Sequence, residues 1–193
     1  MPYHAGMRSA LPAIAFELGS DESTLRRAVM AGTVRASRPR PRSLTLPPGE
    51  LDYLRRHWTQ LEALKAALRT EPSVALAVLY GSMARGDDTP DSDFDLLVAF
   101  KAGRPAALAP LGARLSDAVS THTDLALLPV VRRKAPFLLL QALDEGRVLV
   151  DREKLWPRLR SEREAIARAA RRIMQAEEQA ATQNISELLG DLS

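Results

Sequence analysis

The sequence predicts an α/β protein. Strand-like and helix-like stretches alternate between residues 74 and 150, and helical stretches flank that region on both sides. Apolar residues make up 46% of the 193-residue chain and charged residues 26%, the balance of a globular protein with a core. That length suits one ordinary domain, or a small module joined to a compact one. No apolar run approaches the ~20 residues a membrane span needs. The start (Met1-Pro2-Tyr3-His4-Ala5) lacks a charged segment followed by an apolar one, so no secretory signal and a cytoplasmic location are expected. The chain has no cysteine, which excludes a disulfide scaffold, a Cys-ligated metal and a Cys nucleophile.

Residues 8–18 read as a short apolar helix stopped by Gly19. Ser20-Asp21-Glu22-Ser23 offers N-caps for a second helix, Thr24 to Met30, with Leu25, Ala28 and Val29 inward and Arg26 and Arg27 outward. Arg38-Pro39-Arg40-Pro41-Arg42 cannot be helical, because each proline removes a donor and pushes its predecessor extended. Ser43–Leu46 suits a short strand before Pro47-Pro48-Gly49. Over residues 50–70, Leu51, Leu54, Trp58, Leu61, Leu64 and Leu68 recur at helical spacing and mark a connecting helix, with Trp58 in the core or at a module interface.

Val74–Tyr80 is a buried strand run, and Gly81–Arg85 opens a short helix. Asp93–Phe100 is a second strand, residues 105–120 a helix, and Thr123–Val130 a third strand. Residues 135–145 form a helix closed by Gly146, and Val148–Val150 is a last strand. From Glu153 to about Gln179 a long helix follows, striped by Leu155, Leu159, Ile166, Ala169 and Ile173 and expected to cover the sheet, with docking of a partner as the alternative. Thr182-Gln183-Asn184 weakens it before a terminal Ile185–Leu189 piece.

The net charge of +3 is unevenly placed. Six arginines and no acid lie between Thr24 and Leu46, whereas five aspartates and no base lie between Gly86 and Asp95. One region suits anions; the other is a cation site or an acidic turn.

The segment Gly81-Ser82-Met83-Ala84-Arg85, followed by Asp93-Phe94-Asp95, carries the chemistry. A glycine between a buried strand and a helix start lets a phosphate approach the backbone. Ser82 adds a hydroxyl, which also suits an N-cap, and Arg85 adds charge. Asp93 and Asp95, two apart on a strand, share a face, with Cα atoms about 6.5–7 Å apart. Phe94 points into the core. Paired carboxylates suit a hard divalent cation shared with substrate phosphates. Asp124, on the neighbouring strand signal, is a third candidate for the cluster, with a solvent-facing strand position as its plainer reading. Asp87, Asp88 and Asp91 read as solvated turn residues, and His122 as structural.

Gly81-Ser82, ten residues, then Asp93-x-Asp95 resembles the signature of polymerase-β-like nucleotidyltransferases, over roughly residues 72–152. The resemblance implies a mixed sheet and Mg²⁺-dependent transfer of a nucleoside monophosphate, AMP from ATP, to a hydroxyl. It implies that Gly81 and Ser82 hold the triphosphate, that Asp93 and Asp95 bind two Mg²⁺ ions, and that Asp124 holds the catalytic ion and helps deprotonate the acceptor. Minimal members of this family are often antitoxin-type proteins that adenylylate a partner toxin.

The N-terminal stretch resembles a winged helix-turn-helix. Ser23, Thr24, Arg26 and Arg27 would enter a major groove, and Arg35, Arg38, Arg40 and Arg42 would run beside phosphates, with operator DNA and a homodimer as partners. The plainer reading is a small helical module whose basic edge binds nothing or binds the acidic face of the second module. The expected divisions are 1–48 (DNA-binding module), 49–71 (connecting helix), 72–152 (nucleotidyltransferase domain) and 153–193 (C-terminal helical segment). Alternatives are a toxin-type enzyme acting on a tRNA 3′ end, an enzyme acting on an antibiotic hydroxyl, and a transcriptional regulator whose nucleotide site is a sensor.

Overall fold

The computed structural model describes residues 11–40, 43–102 and 107–190, without side chains at 38–40, 43 and 183–190. Two short helices open it, α1 (Leu11–Glu17) and α2 (Glu22–Ala31), followed by the hairpin β1 (Ser37–Arg40) and β2 (Ser43–Thr45). Asp21 caps α2: its carboxylate accepts from the Thr24 N–H at 2.8 Å, and Gly32 closes the helix at φ 85°. The long helix α3 (Glu50–Arg69) follows and buries Leu54, Trp58, Leu61, Leu64 and Leu68, as its spacing predicts.

The sheet has the order β5-β4-β3-β6. Its central strand β3 (Val74–Tyr80) is buried along its whole length, which is why it reads as an unbroken apolar run rather than an alternation. On one side it pairs antiparallel with β4 (Phe94–Phe100), and on the other with β6 (Arg147–Asp151). The edge strand β5 (Thr123–Leu127) runs parallel to β4, reached through the crossover helix α5 (Leu108–Val119). The mixed sheet is the α/β architecture expected.

Side chains alternate across the sheet to two cores. Ala77, Leu79, Phe94, Leu96 and Val98 pack with α3, α5 and the buried residues of α1 and α2. Leu76, Val78, Leu97 and Ala99 pack on the other face. The covering helices there are α6 (Leu128–Lys134), α7 (Pro136–Glu145), α8 (Leu155–Ser161) and α9 (Arg163–Gly190).

Two of the expected elements differ in the structure. The third strand stops at Leu127 rather than Val130, because Pro129 lacks an N–H for a ladder and its fixed φ suits the first turn of α6. The C-terminal helix is two helices, broken at Glu162. Ile166 and Ala170 anchor α9 against α7 and α8, but beyond Ala170 it is almost wholly exposed as far as residue 182, so only its first part packs, and it packs on helices that cover the sheet. It also stays helical through Thr182-Gln183-Asn184, where a weakening was expected.

The N-terminal helices have no core of their own. Ile14, Leu25, Ala28 and Val34 belong to the same cluster as α3 and the sheet. A buried ion pair ties the parts together. Arg147 and Glu50, 1% and 3% exposed, are joined through two guanidinium nitrogens at 2.6 and 2.9 Å. Arg147 also donates to the carbonyls of Ala84 and Thr33 and lies over the Tyr53 ring, 3.5 Å from its centre.

Candidate active site

The loop from β3 to β4 carries the motif. Gly81 leaves β3 at φ 76° and ψ −160°, a conformation open essentially to glycine alone. It is also the N-cap of α4 (Ser82–Arg85), so Ser82 is the first helical residue and not the cap. A Cβ on Gly81 would lie 2.6 Å from Asp95 Oδ2. Asp95 therefore stands directly against the turn.

The strand registers draw the acids together. Asp95 is opposite Tyr80 on β3 and opposite Asp124 on β5. Asp93 lies one residue before β4 begins, and the next N–H, of Phe94, bonds to the His122 carbonyl at 3.0 Å. Phe94 is 2% exposed and turns into the core, as its flanking acids predict. Asp93, Asp95 and Asp124 thus gather at one end of the β4–β5 pair.

His122 joins them. Its Nε2 lies 3.1 Å from Asp124 Oδ1, and ligand atoms of Asp93, His122 and Asp124 all fall within 4.8 Å of one another. These three are exposed, whereas Asp95 is half-buried. Burial, then the charges of Asp124 and Asp93, push the Asp95 carboxyl above its usual range. Burial first, then Asp95 and Asp124, push the Tyr80 phenol up to about 12, so it stays neutral. The donor set fits a hard divalent cation: carboxylate oxygens and an imidazole nitrogen drawn together.

Arg85 is not a free cation. Its Nε donates to Asp87 Oδ2 at 3.0 Å, and its Nη1 is shared between both carboxylate oxygens of Glu145 at 2.9 and 3.0 Å. Glu145 also accepts from the Gly81 N–H at 3.1 Å. Sequence reading did not single out Glu145, because nothing near it in the chain belongs to the motif. Asp88 is likewise not a solvated turn residue: its side chain is 16% exposed, with Oδ1 3.0 Å from Nε2 of the buried His57. His57 loses basicity through burial, against the opposing pull of Asp88.

The N-terminal candidates lie elsewhere. Ser23 and Thr24 donate to the Asp21 carboxylate, which these bonds hold down to about 2. Arg26 pairs with Glu22, and Arg27 donates to the Ser23 carbonyl and to Thr24 Oγ1. Arg35 turns toward α4 and α7, donating to the carbonyls of Ala84 and Glu145 at 3.3 and 2.7 Å. Arg42 and the side chains of Arg38 and Arg40 lie outside the described residues.

Residues 62–155 match the family model described as "Polymerase beta, Nucleotidyltransferase". No curated protein matches the chain. Among solved structures, it is similar to a chain of a toxin–antitoxin crystal structure with AMP-PNP: 22% identity, 65% of this chain and 98% of that one, TM-score 0.49. It is also similar to a chain in the complex of tri-AMPylated Shewanella oneidensis HEPN toxin with MNT antitoxin: 21% identity, 67% of this chain and 98% of that one, TM-score 0.46.

Proposed function

We propose that the nucleotidyltransferase domain matched over residues 62–155 transfers AMP from ATP to a hydroxyl of a partner protein, in the manner of an antitoxin-type enzyme. The observation that supports this reading is the gathering of Asp93, Asp95 and Asp124 at one end of the β4–β5 pair, with Asp95 against the Gly81 turn. Asp93 and Asp95 would hold two Mg²⁺ ions, with Asp124, and His122 beside it, completing the set. When bound, the ions offset triphosphate charge and assist attack at the α-phosphate.

The chain's own residues have separable tasks. Gly81 leaves room for the Asp95 carboxylate against the turn, and Ser82 would offer a hydroxyl to a phosphate oxygen. Asp124, exposed at the mouth, takes the acceptor's proton as the acceptor oxygen bonds to the α-phosphorus. The bridging α–β P–O bond breaks and pyrophosphate leaves. Operator binding belongs to the same reading: Arg26, Arg27, Arg38, Arg40 and Arg42 would contact DNA phosphates on a homodimer, with Ser23 and Thr24 near the groove. Arg35, also expected beside phosphates, has its guanidinium held by α4 and α7 and would have to leave them to reach DNA.

The test is a transfer assay with α-labelled ATP, CTP, GTP and UTP, Mg²⁺, and either the product of the neighbouring gene or total tRNA. The tri-AMPylated toxin of the complex above names the acceptor class to offer first. Label on the protein, absent with the D93A/D95A double variant, is the expected result. Label on RNA instead makes the enzyme an RNA modifier. No transfer, with salt-dependent retardation of its own promoter DNA, makes the chain a regulator with a nucleotide sensor.

A further inference from the structure

Glu145 ends α7 and lies 64 positions from Gly81, yet it meets the motif at its tightest point. Its side chain is 16% exposed. The carboxylate takes the Gly81 N–H on one oxygen and the Arg85 guanidinium on both. Its backbone is tethered too, since the Glu145 carbonyl accepts from Arg35 at 2.7 Å.

A backbone in a glycine-only region persists when its surroundings over-determine it. At Gly81 two carboxylates do so. Asp95, on β4, fills the space where a Cβ would stand. Glu145, just before β6, fixes the N–H. β4 and β6 flank β3 on opposite sides, so the turn that follows β3 is held from both. Arg85 completes the arrangement as a strut between Glu145 and Asp87 rather than as a cation waiting for phosphate.

We propose that Glu145 is a positioning residue for nucleotide binding: by holding the Gly81 N–H and anchoring Arg85, it keeps the Gly81–Ser82 turn in the shape that admits a triphosphate. The proposal rests on the nucleotidyltransferase reading above. It has a physical opposite. If the carboxylate instead occupied the place of a phosphate oxygen, Glu145 would compete with the nucleotide, and neutralising it would tighten binding.

The test uses the full-length E145A and E145Q variants and three readouts. Calorimetry gives the affinity for the Mg²⁺ complex of AMP-PNP, steady-state transfer separates KM from kcat, and amide exchange reports on Gly81. E145A is expected to raise the dissociation constant and KM about tenfold, with kcat within about threefold and a faster-exchanging Gly81 amide. E145Q keeps an acceptor for that N–H, so it is expected to recover most of the amide protection and part of the affinity. Folded E145A that binds like wild type overturns the proposal, as does E145Q that binds more tightly. Should E145A not fold, E145Q decides alone. Wild-type protein that binds no Mg²⁺–nucleotide overturns the parent reading and this proposal together, whereas wild type that binds equally with its variants overturns only this one.

Discussion

At the scale of single residues, Asp95 carries the conflict between folding and chemistry. It is half-buried beside two other carboxylates, so its ionised form is disfavoured in the folded chain. Its folded pKa lies above its unfolded one. The stability it contributes is therefore full at low pH and is lost as pH rises through the raised value. In EDTA at pH 7.5, D95N is expected to melt about 2–4 °C above wild type, and the gain should shrink as pH is lowered to about 4.5. Equal melting of the two proteins at pH 7.5 would count against charge repulsion at this site. Gly81 sets a second expectation: G81A forces a Cβ against Asp95 and should cut transfer by about a hundredfold or more, with circular dichroism near wild type. Loss of folded signal would instead make the turn a structural requirement. Gly81, Ser82, Asp93 and Asp95 were legible because a fixed spacing between two strand signals names them, and Asp124 because strand order sets it beside them. Glu145 was not, since its partner is 64 positions away. His122 was visible as a neighbour of Asp124, but its closeness to Asp93 depends on β4–β5 register.

At the scale of elements, the helices and strands with unbroken patterns read correctly, among them α3, β3, β4 and α7. The third strand was over-extended because Val130 and Val131 are β-branched and favour strands by themselves, while Pro129 favours a helix start. The joint between α3, β6 and α4 was invisible, because Glu50 and Arg147 are 97 positions apart and look like ordinary surface charges in the sequence. E50A leaves the Arg147 charge buried without its partner and should cost about 3–5 kcal/mol in urea unfolding. Replacing both with methionine should recover much of that loss. If E50A and the double variant are equally unstable, shape rather than charge holds this joint.

At the scale of the whole molecule, the boundaries expected near residues 48 and 71 separate elements but not cores. Buried residues of α1 and α2 pack into the cluster that underlies the sheet, and Thr33 donates its hydroxyl to the Val148 carbonyl. Apolar periodicity shows that a helix has an inward face, not what that face meets, so a short helical pair looks like a separate module. A chain lacking residues 1–48 would lose Ile14, Leu25, Ala28 and Val34 from the shared cluster, and is expected to lose its cooperative thermal transition. A sharp transition in that fragment would restore the two-module picture.

The Ala84 carbonyl, at the end of the motif helix, accepts from both Arg147 and Arg35. Arg35 comes from the N-terminal segment, and Ala84 lies three residues from Gly81. A polyanion that drew Arg35 away would loosen one support of the nucleotide turn, and a nucleotide that tightened the turn would hold Arg35 back. If operator DNA binds as proposed, reciprocity would make the two penalties equal: whatever factor DNA removed from nucleotide affinity, nucleotide would remove from DNA affinity.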